Sequence, residues 1–219
     1  MPNHITTRIR VTGPKDKVEE FFDRTMTDVF GDGDLRFDFR TVVPQPPEVL
    51  KSIEDNGKTG EELFPLWYHW NCDHWGTKWN NYGPYSERGY IKPASDGGSE
   101  AELVFGLTTA WSFPEPILLA CARQFRELKF HAWFADEDIG HNCGEFTAEW
   151  QGDGSEVVSS FTDREGDYKF ACEVTGHDYD EWKKDYDEWK RENDGWNGER
   201  TAPSKLRYNN ETGEFEKEP

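Results

Sequence analysis

Two histidines and a cysteine lie close together in the most aromatic part of the chain, in the order His69-x2-Cys72-x-His74. Zinc accepts imidazole nitrogen and thiolate sulfur, and short ligand spacings of this kind are typical of zinc sites. A zinc ion held here would make the chain a metal-dependent hydrolase. Because Trp and Tyr surround these side chains, we favour the alternative that they belong to a packed aromatic core without a cofactor.

A repeated heptad near the C-terminal end carries a different kind of chemistry. Residues 178–184 and 185–191 each contain Asp-Tyr-Asp-Glu-Trp-Lys followed by a basic residue. On a helix, the Tyr and Trp side chains of both repeats share one face beside the carboxylates. Such a surface imitates the charge of nucleic acid and suits a basic groove on another protein. The residues predicted to bind a partner are Tyr179, Asp180, Glu181, Trp182, Tyr186, Asp187, Glu188 and Trp189.

A third candidate combines basic side chains of the first strand with aromatic side chains further along. Residues 5–11 alternate between apolar and polar, which predicts a strand with one buried face and with Arg8 and Arg10 on the other. Basic residues beside aromatic rings on an open sheet face suit a nucleotide. The alternative ligand site therefore contains Arg8, Arg10, Trp75, Lys78 and Trp79.

The elements that position these residues follow a β-α-β order twice. Period-two and helical apolar patterns predict strand 5–11, helix 18–26, strand 37–43, an insertion, strand 102–111, helix 114–125 and strand 130–135. This is the split βαβ arrangement of ferredoxin-like α+β folds, in which an antiparallel sheet carries both helices on one side.

Further segments are added to that core. We expect a ferredoxin-like domain over residues 1–176, with a Trp-rich insertion at about 48–98 and a β-meander at about 144–175 whose last strand is 168–174. An acidic helix at 177–195 carries the Tyr/Trp heptads, and a flexible tail follows at 196–219.

Composition excludes several classes of function. The 219 residues include 44 acidic and 25 basic side chains, for a net charge of -19, which argues against direct binding of nucleic acid. The acids concentrate in residues 136–195, which hold 19 acids against six bases. The aromatic content of 15% argues against a disordered chain. No apolar run is long enough to predict a membrane span.

Cysteine usage and the start of the chain bear on the compartment. The four cysteines do not form a disulfide framework, and no secretory-type apolar segment precedes the first strand. We therefore expect a reduced, cytoplasmic protein.

Several motifs occur together along the chain in a fixed order. They are Met1-Pro2-Asn3-His4, His74-Trp75-Gly76-Thr77-Lys78-Trp79, residues 107–114 (Leu-Thr-Thr-Ala-Trp-Ser-Phe-Pro), residues 133–137 (Trp-Phe-Ala-Asp-Glu) and Gly144-Glu145-Phe146. In this order they resemble the YubB-type ferredoxin-like family carried by phages and plasmids, over roughly residues 1–150. The resemblance implies a ferredoxin-like fold and a mobile-element setting, and it implies no activity.

Together these features predict a non-enzymatic binding protein. The expected partner is a host protein with a basic surface, such as a host-defence or nucleic-acid-processing factor, which the acidic helix engages by charge mimicry. The alternative is a small-ligand or nucleotide-binding protein that uses the aromatic insertion and the open sheet face, and the metal-dependent hydrolase is a weaker alternative.

Overall fold

The computed structural model describes residues 3–54, 65–83, 90–93, 99–152, 156–193, 206–209 and 214–217. The chain divides into two units, residues 1–179 and 180–219. The first unit contains a six-stranded antiparallel sheet with the order β4-β5-β1-β6-β7-β8. Its strands are β1 (His4–Pro14), β4 (Tyr90–Pro93), β5 (Glu100–Ala110), β6 (Lys129–Asp136), β7 (Gly144–Trp150) and β8 (Val157–Asp163).

The first four of these strands form the ferredoxin-like arrangement. Strand β1 lies between β5 and β6, and β4 pairs with the outer edge of β5. Helix α1 (Lys15–Thr25) follows β1, and helix α4 (Glu115–Gln124) connects β5 to β6. This confirms the predicted ferredoxin-like α+β fold, which β7 and β8 extend at one edge.

The core lies between the sheet and the helices α1 and α4. Alternate residues of β1 are fully buried on this side, as the period-two pattern predicts. Phe21 of α1 is at its centre, where its ring meets those of Phe37, Phe105, Phe125 and Phe130 at centroid distances of 5.0 to 6.1 Å. Large rings therefore supply much of the buried apolar area in a chain of low hydrophobic content.

The second strand of the ferredoxin-like motif is not the segment 37–43 that the sequence pattern predicts. Of the predicted strand 37–43, only Phe37 belongs to a strand, β3 (Arg36–Phe37), which pairs with β2 (Met26–Thr27) outside the main sheet. A 3-10 turn (Phe39–Thr41) follows, because the Asp38 side chain accepts a hydrogen bond from the backbone N–H of Arg40. The second strand is β4, which lies within the predicted insertion.

The rest of the described insertion contains two helices, and residues 76–83 after them are bends and irregular backbone. Helices α2 (Pro47–Glu54) and α3 (Leu66–Trp75) pack against each other, and α3 also contacts α4. Residues 55–64, 84–89 and 94–98 of the predicted insertion lie outside the described residues.

The predicted β-meander is correct for β7 and β8 and wrong for its last strand. Residues 168–175 form helix α5 (Tyr168–Thr175) instead. The Asp167 side chain accepts the N–H of Phe170 at the start of the helix, and Gly176 ends it with a φ of 82°. These two caps satisfy the end groups of the helix, and its face with Ala171, Cys172 and Val174 is buried.

The second unit contains most of helix α6 (Tyr179–Glu192), the predicted heptad helix, in which no residue is buried. The segment predicted to be a flexible tail contains an antiparallel hairpin of β9 (Leu206–Asn209) and β10 (Glu214–Lys217). Residues 194–205, 210–213 and 218–219 lie outside the described residues.

Candidate functional site

The sheet face opposite α1 and α4 carries a row of side chains that could bind a ligand. In the strand register, Arg8 of β1 is opposite Gly106 on one side and Trp133 on the other. Trp133 is in turn opposite Glu145 of β7. Because opposite residues in an antiparallel sheet project to the same face, these side chains are neighbours, and Gly106 leaves space beside Arg8.

Helix α5 covers part of this face and turns it into a pocket. The helix packs on β6 and β1, and a cavity of about 390 Å³ lies between them. We call this cavity the arginine pocket, because its walls carry three guanidinium groups. It is lined by Arg8, Arg10, Val104, Trp133, Glu145, Arg164, Phe170, Glu173 and Val174.

Two of the three arginines are fixed by carboxylates and rings. Arg164 donates to Glu145 Oε1 from Nη2 at 2.6 Å and from Nε at 2.8 Å, and its guanidinium lies 5.1 Å from the Phe170 ring centroid. The hydrogen bond from Arg164 is the main reason that the pKa of Glu145 is lowered. Arg10 lies 3.0 Å from Glu102 and 4.9 Å from the Trp133 ring centroid. Stacking on a ring uses the face of a guanidinium and leaves the N–H groups at its edge available to an anion.

Arg8 differs from the other two. Its side chain is half-buried, and among the described residues it has no ion pair and no hydrogen bond. A methyl group at Gly176 would lie 3.8 Å from Nη2 of Arg8, so the guanidinium is next to the C-terminal end of α5. The negative end of the helix dipole favours a cation at this position. Arg8 therefore has donors to offer to a ligand in the pocket.

His131 lies beside the pocket. Its Nε2 is 3.3 Å from Oε2 of Glu145, and its ring is 4.0 Å from that of Trp133. The Glu145 carboxylate thus accepts from Arg164 on one oxygen and faces His131 with the other. This arrangement fixes Glu145 between two basic side chains and limits its repulsion of a bound anion.

The structure divides the predicted ligand site between separate places. Arg8 and Arg10 line the arginine pocket, whereas Trp75 and Trp79 line a second, mostly apolar cavity of about 400 Å³ in the insertion. Lys78 lies beside aromatic rings and lines neither of these two cavities. Of the predicted set, the structure brings Lys78 and Trp79 together, with Nζ 4.5 Å from the ring centroid, whereas Arg8 and Arg10 line a different cavity from Trp75 and Trp79.

The predicted zinc ligands all lie on α3 and are engaged in other contacts. His74 stacks on Trp70 with centroids 4.3 Å apart, and its Nδ1 is 2.8 Å from the Trp70 carbonyl oxygen. Burial raises the pKa of the Cys72 thiol, which disfavours the thiolate that zinc requires. Within the described part of the chain, no group of three or more His, Cys, Asp or Glu side chains is placed to hold a metal ion, so His69, Cys72 and His74 do not converge.

The predicted partner-binding residues lie on α6. The rings of Trp182 and Tyr186 stack with centroids 5.1 Å apart, and those of Tyr186 and Trp189 are 6.2 Å apart. Asp187 pairs with Lys183 at 3.0 Å. The other acidic residues of the prediction, Asp180, Glu181 and Glu188, are exposed.

Most residues of the arginine pocket were not among the predicted site residues. Trp133 and Glu145 could have been inferred from the period of β6 and β7, because both alternate with buried residues. Arg164 and Phe170 depend on α5, for which Asp167 and Gly176 were the available cap signals.

Comparison with known proteins supports the fold. Residues 90–178 match a family model described as a ferredoxin-like domain in Api92-like protein, which spans β4 to α5 and includes every lining residue of the arginine pocket except the two from β1. No curated protein and no solved structure matches the chain. None of the helices in the described residues has the length and apolar character needed to cross a membrane.

Proposed function

We propose that this chain binds a small anion that carries a planar ring, such as a mononucleotide, in the arginine pocket. The observation that carries the proposal is Arg8, a half-buried guanidinium without a hydrogen bond or ion pair among the described residues. Arg10 and Arg164 line the same pocket and are already fixed by Glu102 and Glu145. In a chain with a net charge of -19, such a convergence of basic groups supports a local anion site.

The chemistry of the walls supports a ligand with both an anionic group and a ring. A phosphate accepts paired N–H donors from guanidinium edges, and the apolar surfaces of Val104, Phe170 and Val174 suit a ring. The volume of about 390 Å³ lies within the usual range of small-molecule sites. The carboxylates of Glu145 and Glu173 would disfavour highly charged ligands and favour a monophosphate over a triphosphate.

Calorimetric titration tests this proposal. We expect binding of adenosine or guanosine monophosphate to weaken at least about tenfold in Arg8→Gln, since one charged hydrogen-bond pair is lost. The matched control is Arg126→Gln, because Arg126 also lies on a ring, 4.2 Å from the Trp150 centroid, but does not line the pocket. The absence of binding to both mononucleotides and to inorganic phosphate, or equal affinity of the Arg8 and Arg126 variants, would contradict the proposal.

A second candidate function is the binding of a basic protein by α6, and the predicted mobile-element origin belongs to this candidate. The supporting observation is the stacked row Trp182, Tyr186 and Trp189 on a helix without buried residues. Aromatic residues beside exposed acids suit a partner with a basic, partly apolar groove. We expect binding to a basic host protein to fall with rising salt and to be lost after neutralising Asp180, Glu181, Asp187 and Glu188. Binding that survives those four substitutions would exclude charge mimicry by this helix.

A further inference from the structure

Lys78 is surrounded by aromatic rings. Its ammonium nitrogen lies 4.5 Å from the ring centroid of Trp79, 4.7 Å from that of Trp111 and 5.9 Å from that of Tyr68. These distances are within the range of cation–π attraction, which is about 6 Å. We call Tyr68, Trp79 and Trp111 the aromatic cage.

The ammonium of Lys78 forms no hydrogen bond and no salt bridge in the part of the chain that the structure describes, and Cys72 is the titratable group that interacts with its charge. The backbone carbonyl of Lys78 accepts from Nδ2 of Asn71 at 2.9 Å, but its side chain has no carboxylate partner there, although the chain has 44 acidic residues. A lysine ammonium is strongly hydrated in water. Because the Lys78 ammonium lies among aromatic rings instead, these rings form a site that attracts a cation. The side chain is half-buried, which leaves the cage partly open to solvent.

The backbone of Trp111 is held in an unfavourable conformation that fixes one wall of the cage. Trp111 has a φ of 72°, a value that bulky residues rarely adopt. Its N–H donates to the Asn3 carbonyl at 2.9 Å, and its carbonyl accepts from Nδ2 of Asn142 at 3.1 Å. The indole remains 40% exposed, so burial does not account for this conformation. Strained residues of this kind cluster at binding sites.

We propose that the aromatic cage binds alkylammonium groups and that Lys78 is a displaceable occupant of it. Quaternary ammonium groups lose less hydration on binding than a primary ammonium, and they interact with several ring faces at once. The net charge of -19 attracts a cationic ligand to the molecule. The four-carbon stem of Lys78 allows its ammonium to move into solvent when a ligand enters. This site is separate from the arginine pocket and takes a ligand of opposite charge.

Titration with tetramethylammonium chloride, followed by the proton NMR signal of its methyl groups, tests the proposal. Sodium chloride at equal concentration controls for ionic strength. We expect saturable binding by the wild-type chain and binding about tenfold tighter in Lys78→Ala, because the competing occupant is removed. The matched control is Lys129→Ala, which removes an exposed lysine outside the cage and leaves the affinity unchanged.

Substitution of the cage walls completes the test. In the Lys78→Ala background, Trp111→Ala is expected to abolish saturable binding, and Tyr68→Ala is expected to weaken it by a smaller factor because its ring is the more distant one. If Trp111→Ala lowers the thermal midpoint strongly, Trp79→Ala serves as the second wall variant. The proposal is overturned if Lys78→Ala binds no more tightly than the wild type, or if a folded wall variant retains full affinity.

Discussion

Helix α5 depends on Asp167 for its N-terminal cap, and its loss has a predictable cost. Oδ1 of Asp167 accepts the N–H of Phe170 at 3.0 Å. Replacing an Asp cap by Ala costs about 1 kcal/mol. Asp167 also lies 3.4 Å from Arg164, but both side chains are about 40% exposed, so this ion pair contributes little. We therefore predict that Asp167→Ala destabilises α5 by about 1 kcal/mol, nearly all of it through the cap.

Native-state amide hydrogen exchange measures this effect directly. A cost of about 1 kcal/mol raises the exchange rates of the α5 amides about fivefold when local opening controls exchange. Asp167→Asn separates the two contributions, because Asn caps a helix as well as Asp but carries no charge. We expect Asp167→Asn to exchange like the wild type. Equal exchange rates of the α5 amides in wild type and Asp167→Ala would contradict the predicted role of the cap. The same holds if these amides exchange as fast in Asp167→Asn as in Asp167→Ala.

Three further predictions concern stability. Asp38 is buried and accepts hydrogen bonds from Arg40, Asn80 and Thr27. Its burial acts to raise its pKa, but the hydrogen bonds from Arg40 and Asn80 outweigh this and the pKa is lowered. Asp38→Asn is expected to lower the free energy of unfolding in urea by about 2 kcal/mol. The loss is no larger because Arg40, which is left without its carboxylate, is partly exposed and its charge is screened by solvent. An unchanged urea midpoint would contradict this. A hydrogen bond from Arg36 is the main cause that lowers the pKa of Asp32 from 3.8 to about 2, so Asp32 stabilises the fold above pH 3.8. The difference in thermal midpoint between wild type and Asp32→Asn should therefore shrink as the pH falls from 3.8 through about 2, and a difference that keeps its full size below pH 2 would count against the ion pair. Phe21→Ala removes the central ring of the core, and we expect a loss of about 4 kcal/mol by denaturant titration; a loss below about 1 kcal/mol would show that the ring cluster is less tightly packed than described.

The sequence predicts the centre of the sheet correctly because the patterns there are strong. Strand β1 alternates without interruption, and the β5-α4-β6 unit combines two such strands with a helix that starts after Pro114. Each of these elements buries one face against the same core, so periodicity alone assigns it.

Two elements could not be assigned by periodicity. Strand β4 has only four residues and pairs on one side alone, so its apolar pattern is too short to recognise. Tyr168, Phe170 and Val174 also fit a strand, and the helix is decided by the caps at Asp167 and Gly176. Pairing with β5 determines the strand β4, and hydrogen bonds at the helix ends determine the helix α5. In neither element does the local apolar pattern of the sequence decide the structure.

The candidate site was predictable only in part, for a related reason. Strand parity places Arg8 and Arg10 on the outer face, where the structure has them. The sequence does not reveal that α5 closes this face or that Arg164 reaches Glu145, because these contacts join distant parts of the chain. The prediction joined the Trp-rich segment to Arg8 and Arg10 because their chemistry is complementary, but the two arginines line one cavity and Trp75 and Trp79 line another.

Chemical-shift mapping of a mononucleotide titration tests whether the arginine pocket is the ligand site. In nitrogen–proton correlation spectra that include arginine side chains, we predict saturable shifts of the Nε signals of Arg8, Arg10 and Arg164 and of the α5 backbone amides. Arg126 Nε, which lies outside the pocket, should not shift. Shifts confined to other parts of the molecule, or no saturable shift at all, would contradict the assignment of the arginine pocket as the ligand site.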